Sequence, residues 1–299
     1  MSAHVYRRFI LPLSCIMSFA MAGTAWAHPA FTTRTVRVPI LMYHYIRANP
    51  GPRDRLGADL SVSPQNFEQQ MRWLAANDFH TITLDDLTSA ILEGDPLPPR
   101  PVVLTFDDGY ADLYTTAFPI LKRYGFRATS FVITGKVGWP GYLTWPQMLE
   151  MQASGLVQFE SHTVDHVDMS RVTPAKAQYE LTASKMALEQ HLNVPVRYFC
   201  YPFGRYNPRV EALLAQDGYV AATTTAYGTV HGPEDLLALS RVRVHGVESL
   251  QTFAALLTGT GLPSGNDNSR GNGKGKGNSR GNNNGNSRAS PDHRPTQHK

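Results

Sequence analysis

The chain has 299 residues, with 28 Lys and Arg against 24 Asp and Glu, and a net charge of +4. That charge is unevenly placed: Arg7 and Arg8 lie in residues 1–27, and residues 264–299 carry seven Lys or Arg against two Asp, so residues 28–263 sum to −3. A folded surface of net positive charge is excluded, and with it the electrostatic footprint of a nucleic-acid binder.

Residues 1–27 read as a secretory signal: the basic pair Arg7-Arg8, an apolar run from Phe9 to Ala22, and an Ala25-Trp26-Ala27 cleavage site. The run is short for a membrane span and Pro12 interrupts it. The mature protein is therefore expected to be secreted or periplasmic, without a transmembrane span. Cleavage would leave Cys200 as its one cysteine, which excludes an intrachain disulfide and a cysteine-based zinc site. Residues 264–299, rich in Gly, Asn and Ser with scattered basic residues, have too little apolar surface to fold. They read as a disordered tail, suited to touching an anionic cell surface or to no partner at all. Residues 28–263 remain as one domain.

Within that domain apolar runs alternate with amphipathic stretches. Strands are predicted at 37–43, 79–83, 101–106, 128–133, 157–161, 197–202, 219–223 and 239–244. Helices are predicted at 64–77, 85–93, 111–124, 145–153, 174–191, 208–216 and 249–257, with Ser63, Thr144 and Thr173 as caps and a kink at Pro119. This alternation means a parallel sheet. Eight candidate strands, with neither a Gly-rich dinucleotide loop nor a Walker lysine, favour a distorted (β/α) barrel of seven or eight strands over an open sheet.

Chemistry-bearing residues gather at the predicted strand ends, where α/β proteins place their sites. The run Pro101–Phe106 ends in Asp107-Asp108-Gly109. Adjacent carboxylates repel unless a cation or a shared proton relieves them. The run Val157–Ser161 is followed by His162 and His166, four apart, so that a helical turn would aim both imidazoles at one cation. Two histidines and one carboxylate leave coordination positions open, the pattern of a catalytic metal site, and the spare aspartate is free to act as a base. Tyr201-Pro202-Phe203-Gly204 can turn a backbone N–H toward the site. His44, after the first strand, is a candidate general acid. Arg241 and Arg243 share one strand face and are candidate partners for a carboxylate.

Taken together, Thr105–Gly109, His162–His166 and Tyr201–Gly204 resemble the motifs of the polysaccharide deacetylase family, the NodB homology domain of carbohydrate esterase family 4. The likeness runs over roughly residues 38–250, and Ile40–Ile46 is similar to the poly-β-1,6-N-acetylglucosamine deacetylase branch. The resemblance implies a divalent metal, Zn2+ first and Co2+, Ni2+ or Fe2+ as substitutes, held by Asp108, His162 and His166. It implies Asp107 as base, the Phe203 N–H as oxyanion donor, and His44 as acid with His245 as second choice. The implied reaction removes N-acetyl groups from a GlcNAc-containing polysaccharide (poly-β-1,6-GlcNAc, a chitin-like oligomer or peptidoglycan) and releases acetate. Cys200 stands where the family usually has an arginine that tunes the base, and Arg241 or Arg243 is expected to substitute. Rival readings are a carbohydrate-binding module with an inactive site, a hydrolase of non-sugar C–N bonds, and a non-haem iron oxygenase.

Overall fold

The computed structural model of the chain describes residues 34–258. The expected signal segment and tail lie outside the described residues, as do both edges of the expected 28–263 domain. Eight strands run parallel: β1 (Ile40–Tyr43), β2 (His80–Thr81), β3 (Pro101–Phe106), β4 (Ala128–Val132), β5 (Val157–Ser161), β6 (Tyr198–Cys200), β7 (Ala221–Tyr227) and β8 (Leu239–Arg243). Their order is β1-β8-β7-β6-β5-β4-β3, and β1 pairs back onto β3, so seven strands close a barrel. The eighth, β2, pairs only with the start of β3, Thr81 opposite Val102. From Val103 onward β1 takes that edge.

Side chains alternate across each strand. Ile40, Val103, Phe131, Tyr198, Ala221 and Leu239 share one buried cluster with Leu84, Leu87 and Ile91 of the helix Leu84–Leu92. Intervening residues such as Leu41, Leu104, Phe199 and Val242 belong to the second cluster, packed with the surrounding helices. The strands are therefore apolar on both faces, as parallel strands with helical cover must be.

Local chemistry explains most element boundaries. Ser63 accepts from the Asn66 N–H at the start of Pro64–Ala76, and Thr83 with Asp86 forms a reciprocal cap on Leu84–Leu92. Two expectations are corrected. The strand foreseen over 37–43 is split at Pro39, which cannot donate to a ladder: Val36–Arg37 pairs antiparallel with Val230–His231, and only Ile40–Tyr43 joins the barrel. The kinked helix foreseen over 111–124 is a π-helical turn, Leu113–Ala117, followed by the α-helix Phe118–Tyr124. Pro119 lacks the N–H that a continuous α ladder would need there.

Because every strand of the barrel sheet is parallel, all their carboxyl ends open at one mouth. One irregularity shapes that mouth: between Thr223↔Leu239 and Tyr227↔Arg241, four residues of β7 span two of β8. This β-bulge lets the Thr224 carbonyl accept from Arg241 Nε at 2.8 Å. No helix among the described residues is long and apolar enough to cross a membrane.

Candidate active site

Asp107 and Asp108 leave β3 side by side, both buried, in opposite surroundings. Asp107 receives both guanidinium ends of Arg241, Nη1 to Oδ1 and Nη2 to Oδ2, each at 2.8 Å. Arg241 is 1% exposed, and its Nη1 also donates to Thr105 Oγ1 at 3.1 Å. The Cys200 thiol lies 3.3 Å from Arg241 Nη2 and 3.6 Å from Asp107 Oδ2. Burial pushes the Asp107 carboxyl up, but the charge and hydrogen bonds of Arg241 outweigh it and hold the group well below the usual carboxylate range.

His44, next after β1, places Nε2 3.8 Å from Asp107 Oδ2. Burial pulls its imidazole below the ordinary histidine value, against the pull of Asp107 and Asp108.

Asp108 turns the other way, in a left-handed conformation with φ 74°. Its Oδ1 is 3.3 Å from His162 Nε2 and 3.4 Å from His166 Nε2. The His162 Nδ1–H donates to the Cys200 carbonyl at 2.7 Å, which turns Nε2 toward Asp108; against burial, Cys200 and Asp108 raise the His162 pKa, so a cation bound there would displace a proton. Buried Asp108 Oδ1 has no hydrogen-bond partner among the described residues, and the three donor atoms lie within 4.8 Å of one another. Two imidazole nitrogens converging on an orphaned carboxylate oxygen are what a divalent cation requires, so these residues fit a metal. Burial first, and His162 second, lower the His166 pKa to about 4, which keeps that imidazole neutral and able to ligate. Burial would raise Asp108, but the adjacent His162 imidazole holds it below its usual value.

The histidine loop is not the helical turn suggested by the four-residue spacing. Thr163 and His166 are both left-handed, with φ 69° and 56°, and Thr163 Oγ1 accepts from the His166 N–H at 2.8 Å. The turn Pro202–Gly204 carries Phe203 at φ 59°, its ring 4.7 Å from the His166 ring and 54% exposed. Gly204 follows at φ 66°, and a Cβ there would lie 2.2 Å from Thr225 Oγ1, so only glycine fits. Across the mouth, Tyr45 stacks on Tyr110 at 3.7 Å, and Tyr110 packs on Tyr142 at 5.1 Å.

Of the two arginines foreseen as partners of the base, Arg241 reaches Asp107, whereas Arg243 Nη2 pairs with Asp59 Oδ2 at 3.0 Å. His245 also goes to Asp59, Nδ1 to Oδ1 at 2.7 Å, which raises its pKa above the ordinary histidine value. Both residues sit at the outer end of β8, where the short helix Arg55–Leu60 supplies Asp59. Sequence reasoning missed Asp59 and the thiol of Cys200. Asp59 lies in no motif, whereas the cysteine at a motif position usually held by arginine was a signal that Asp107 had gained a different neighbour.

Residues 94–222 match the family model described as polysaccharide deacetylase. The polysaccharide-deacetylase-type protein YxkH of Bacillus subtilis is 34% identical over 226 residues, 76% of this chain and 78% of its own. The chain belongs to the polysaccharide deacetylase family. The Streptococcus pyogenes deacetylase PplD, solved in complex with acetate, superposes with a TM-score of 0.70 at 33% identity, covering 75% of this chain and 99% of PplD. A poly-β-1,6-N-acetyl-D-glucosamine N-deacetylase of Staphylococcus aureus is 32% identical over 163 residues, 49% of this chain and 55% of that protein, so the chain spans about half of its length. Within this polysaccharide deacetylase, the segment matched by the family model holds Asp107, Asp108, His162, His166 and Phe203. His44, Arg241, Arg243 and His245 lie outside it.

Proposed function

We propose that this deacetylase is a secreted or periplasmic, metal-dependent enzyme that removes N-acetyl groups from a GlcNAc-containing polysaccharide. The carrying observation is the division of labour between adjacent carboxylates: Asp107 is gripped by Arg241, and Asp108 Oδ1 faces two imidazole nitrogens. Asp108, His162 and His166 would hold the metal. A divalent cation there, Zn2+ foremost, would supply Lewis acidity, lowering the pKa of water and polarising an acetamide carbonyl.

In this reading Asp107, kept ionised by Arg241, takes the proton of the attacking water. The Phe203 backbone N–H steadies the developing oxyanion. The C–N bond breaks, acetate leaves, and the amine needs a proton. His44 is the preferred donor. Its depressed pKa leaves it neutral at rest, so the proton collected at Asp107, 3.8 Å from Nε2, is the one it passes on. His245, tied to Asp59, is the weaker candidate. The tyrosine stack on one side of the mouth and exposed Phe203 on the other suit a sugar chain crossing it. The likeness to the Staphylococcus aureus enzyme supports a β-1,6-linked GlcNAc polymer as the first substrate to try.

The test compares Asp107→Asn with Asp108→Asn for metal content and for acetate release from β-1,6-GlcNAc, chitin and peptidoglycan oligomers. Asp107→Asn is expected to retain metal and lose about 10²–10⁴-fold in kcat. Asp108→Asn is expected to lose metal. Near-normal turnover in both variants would defeat the reading.

A further inference from the structure

Glu180 lies on the helix Pro174–Leu192, fourteen residues beyond His166, and its side chain is completely buried. Its Oε2 accepts from two consecutive backbone N–H groups, Val164 at 2.7 Å and Asp165 at 2.9 Å. These are the middle residues of the loop whose ends are His162 and His166. Its other oxygen lies 2.6 Å from Lys176 Nζ, which also reaches Asp165 Oδ2 at 2.7 Å.

The loop is held from the opposite side as well. The Thr163 and Val164 carbonyls accept from the Thr134 and Gly135 N–H groups at 3.1 and 3.0 Å. The approach is close enough that a Cβ on Gly135 would stand 2.6 Å from the Val164 carbonyl oxygen. The loop backbone is thus clamped between a carboxylate on one flank and a strand-end turn on the other. Left-handed Thr163 and His166 resist relaxed geometry and need such restraint.

Resting on the metal-dependent reading above, we infer that Glu180 is a positioning residue: by gathering the Val164 and Asp165 N–H groups it fixes the separation of the His162 and His166 imidazoles and so sets the affinity of the site for a divalent cation. A buried carboxylate is an expensive way to satisfy two amides. Its charge-assisted bonds are stronger and less pliant than those of a neutral acceptor. A helix-to-loop staple serving only stability would not couple to the cation.

The experiment uses the full chain and the metal itself. Zn2+ affinity is measured by competition with a chromophoric chelator, and Co2+ loading by its visible absorption spectrum, for the wild type, Glu180→Gln and Glu180→Asp. Gln178→Ala, which breaks a bond from the same helix to Asp217 and touches neither Glu180 nor the loop, is the control and is expected to bind Zn2+ as the wild type does. Residues that orient metal ligands change affinity by about 10–100-fold when altered. Glu180→Gln is expected to weaken Zn2+ binding within that range and to alter the Co2+ spectrum, at an unfolding midpoint in the chelated state close to wild type. Glu180→Asp, one methylene too short to reach both amides, is expected to do the same, and supplies the measurement if Glu180→Gln does not fold. Wild-type affinity and spectrum in either folded variant would overturn the inference while leaving the deacetylase reading intact. A wild type that binds neither metal would overturn both.

Discussion

Arg241 and Asp107 form a two-toothed ion pair inside the barrel, both contacts at 2.8 Å and both side chains at most 3% exposed. The two residues come from strands that are not neighbours: β8 pairs with β1, and β1 with β3. The pair therefore reaches across β1, and Thr105, Thr224 and Cys200 take the remaining contacts of the guanidinium.

Arg241→Ala is expected to be costly twice over. Leaving one partner of a buried pair uncompensated typically destabilises by about 3–5 kcal/mol. Without the guanidinium, burial dominates and the Asp107 pKa rises, so the acid limb of the kcat/KM profile should move to higher pH. Arg241→Lys should recover part of the stability but not the two-point grip. Denaturant unfolding and a pH–rate profile check both.

Cys200 occupies the space between β6 and the Arg241 guanidinium. Cys200→Arg would bury a second cation against the same carboxylate, and the expected outcome is failure to fold or a loss of more than about 3 kcal/mol. Cys200→Ser, similar in size and still able to donate to Asp107, should keep most turnover. Expression yield and unfolding midpoints of the two variants separate these outcomes. A well-folded, active Cys200→Arg would show that the guanidinium has room to move.

Gly204→Ala places a methyl group 2.2 Å from Thr225 Oγ1 at a φ of 66°. The Phe203 turn must then shift. Stability should fall by about 1–3 kcal/mol, and kcat should drop by more than KM changes if the Phe203 N–H meets the developing oxyanion. Steady-state kinetics on a soluble oligomer give the split.

Glu248 offers a pH test away from Asp108, His162 and His166. Burial pushes its pKa up to about 7, with His245 opposing, and its Oε2 has no hydrogen-bond partner among the described residues. The unfolded chain releases this proton near the ordinary glutamate value, whereas the folded chain keeps it until about pH 7. Stability from this residue is therefore present at low pH and lost as pH rises through that window. Glu248→Gln should remove the loss and raise the melting temperature by a few degrees at pH 8, with little effect at pH 4.5. Equal differences at both pH values would refute the assignment.

The sequence displayed the parts of this molecule better than their joints. The barrel strands were readable because apolar runs bounded by Pro and Gly report burial on both faces, and Trp145–Ala153 and Pro208–Gln216 carry their own caps. That β2 would stop at two residues could not be read, because its exclusion depends on β1 claiming the edge of β3. The histidine spacing correctly suggested that His162 and His166 would converge. The loop reaches that convergence through two left-handed residues rather than a helical turn, since the Thr163 hydroxyl and Glu180 supply bonds that no local pattern announces. Arg241 and Arg243 looked equivalent by alternation. They differ because only one lies deep enough to meet Asp107, and the other finds Asp59 on a helix nearly two hundred residues earlier in the chain.

Asp108, Thr163, His166 and Phe203 all adopt positive φ at a single mouth. Each such non-glycine residue costs about 1–2 kcal/mol relative to a relaxed backbone. The protein thus concentrates its conformational debt where the chemistry is expected, and the rest of the barrel carries it. Substituting glycine at Thr163 or Phe203 would relieve torsional strain while loosening the loops that hold the groups in register. A selection for heat resistance alone should therefore change exposed Phe203 before buried Thr163, whose hydroxyl also holds the His166 N–H, and yield sturdier, slower proteins.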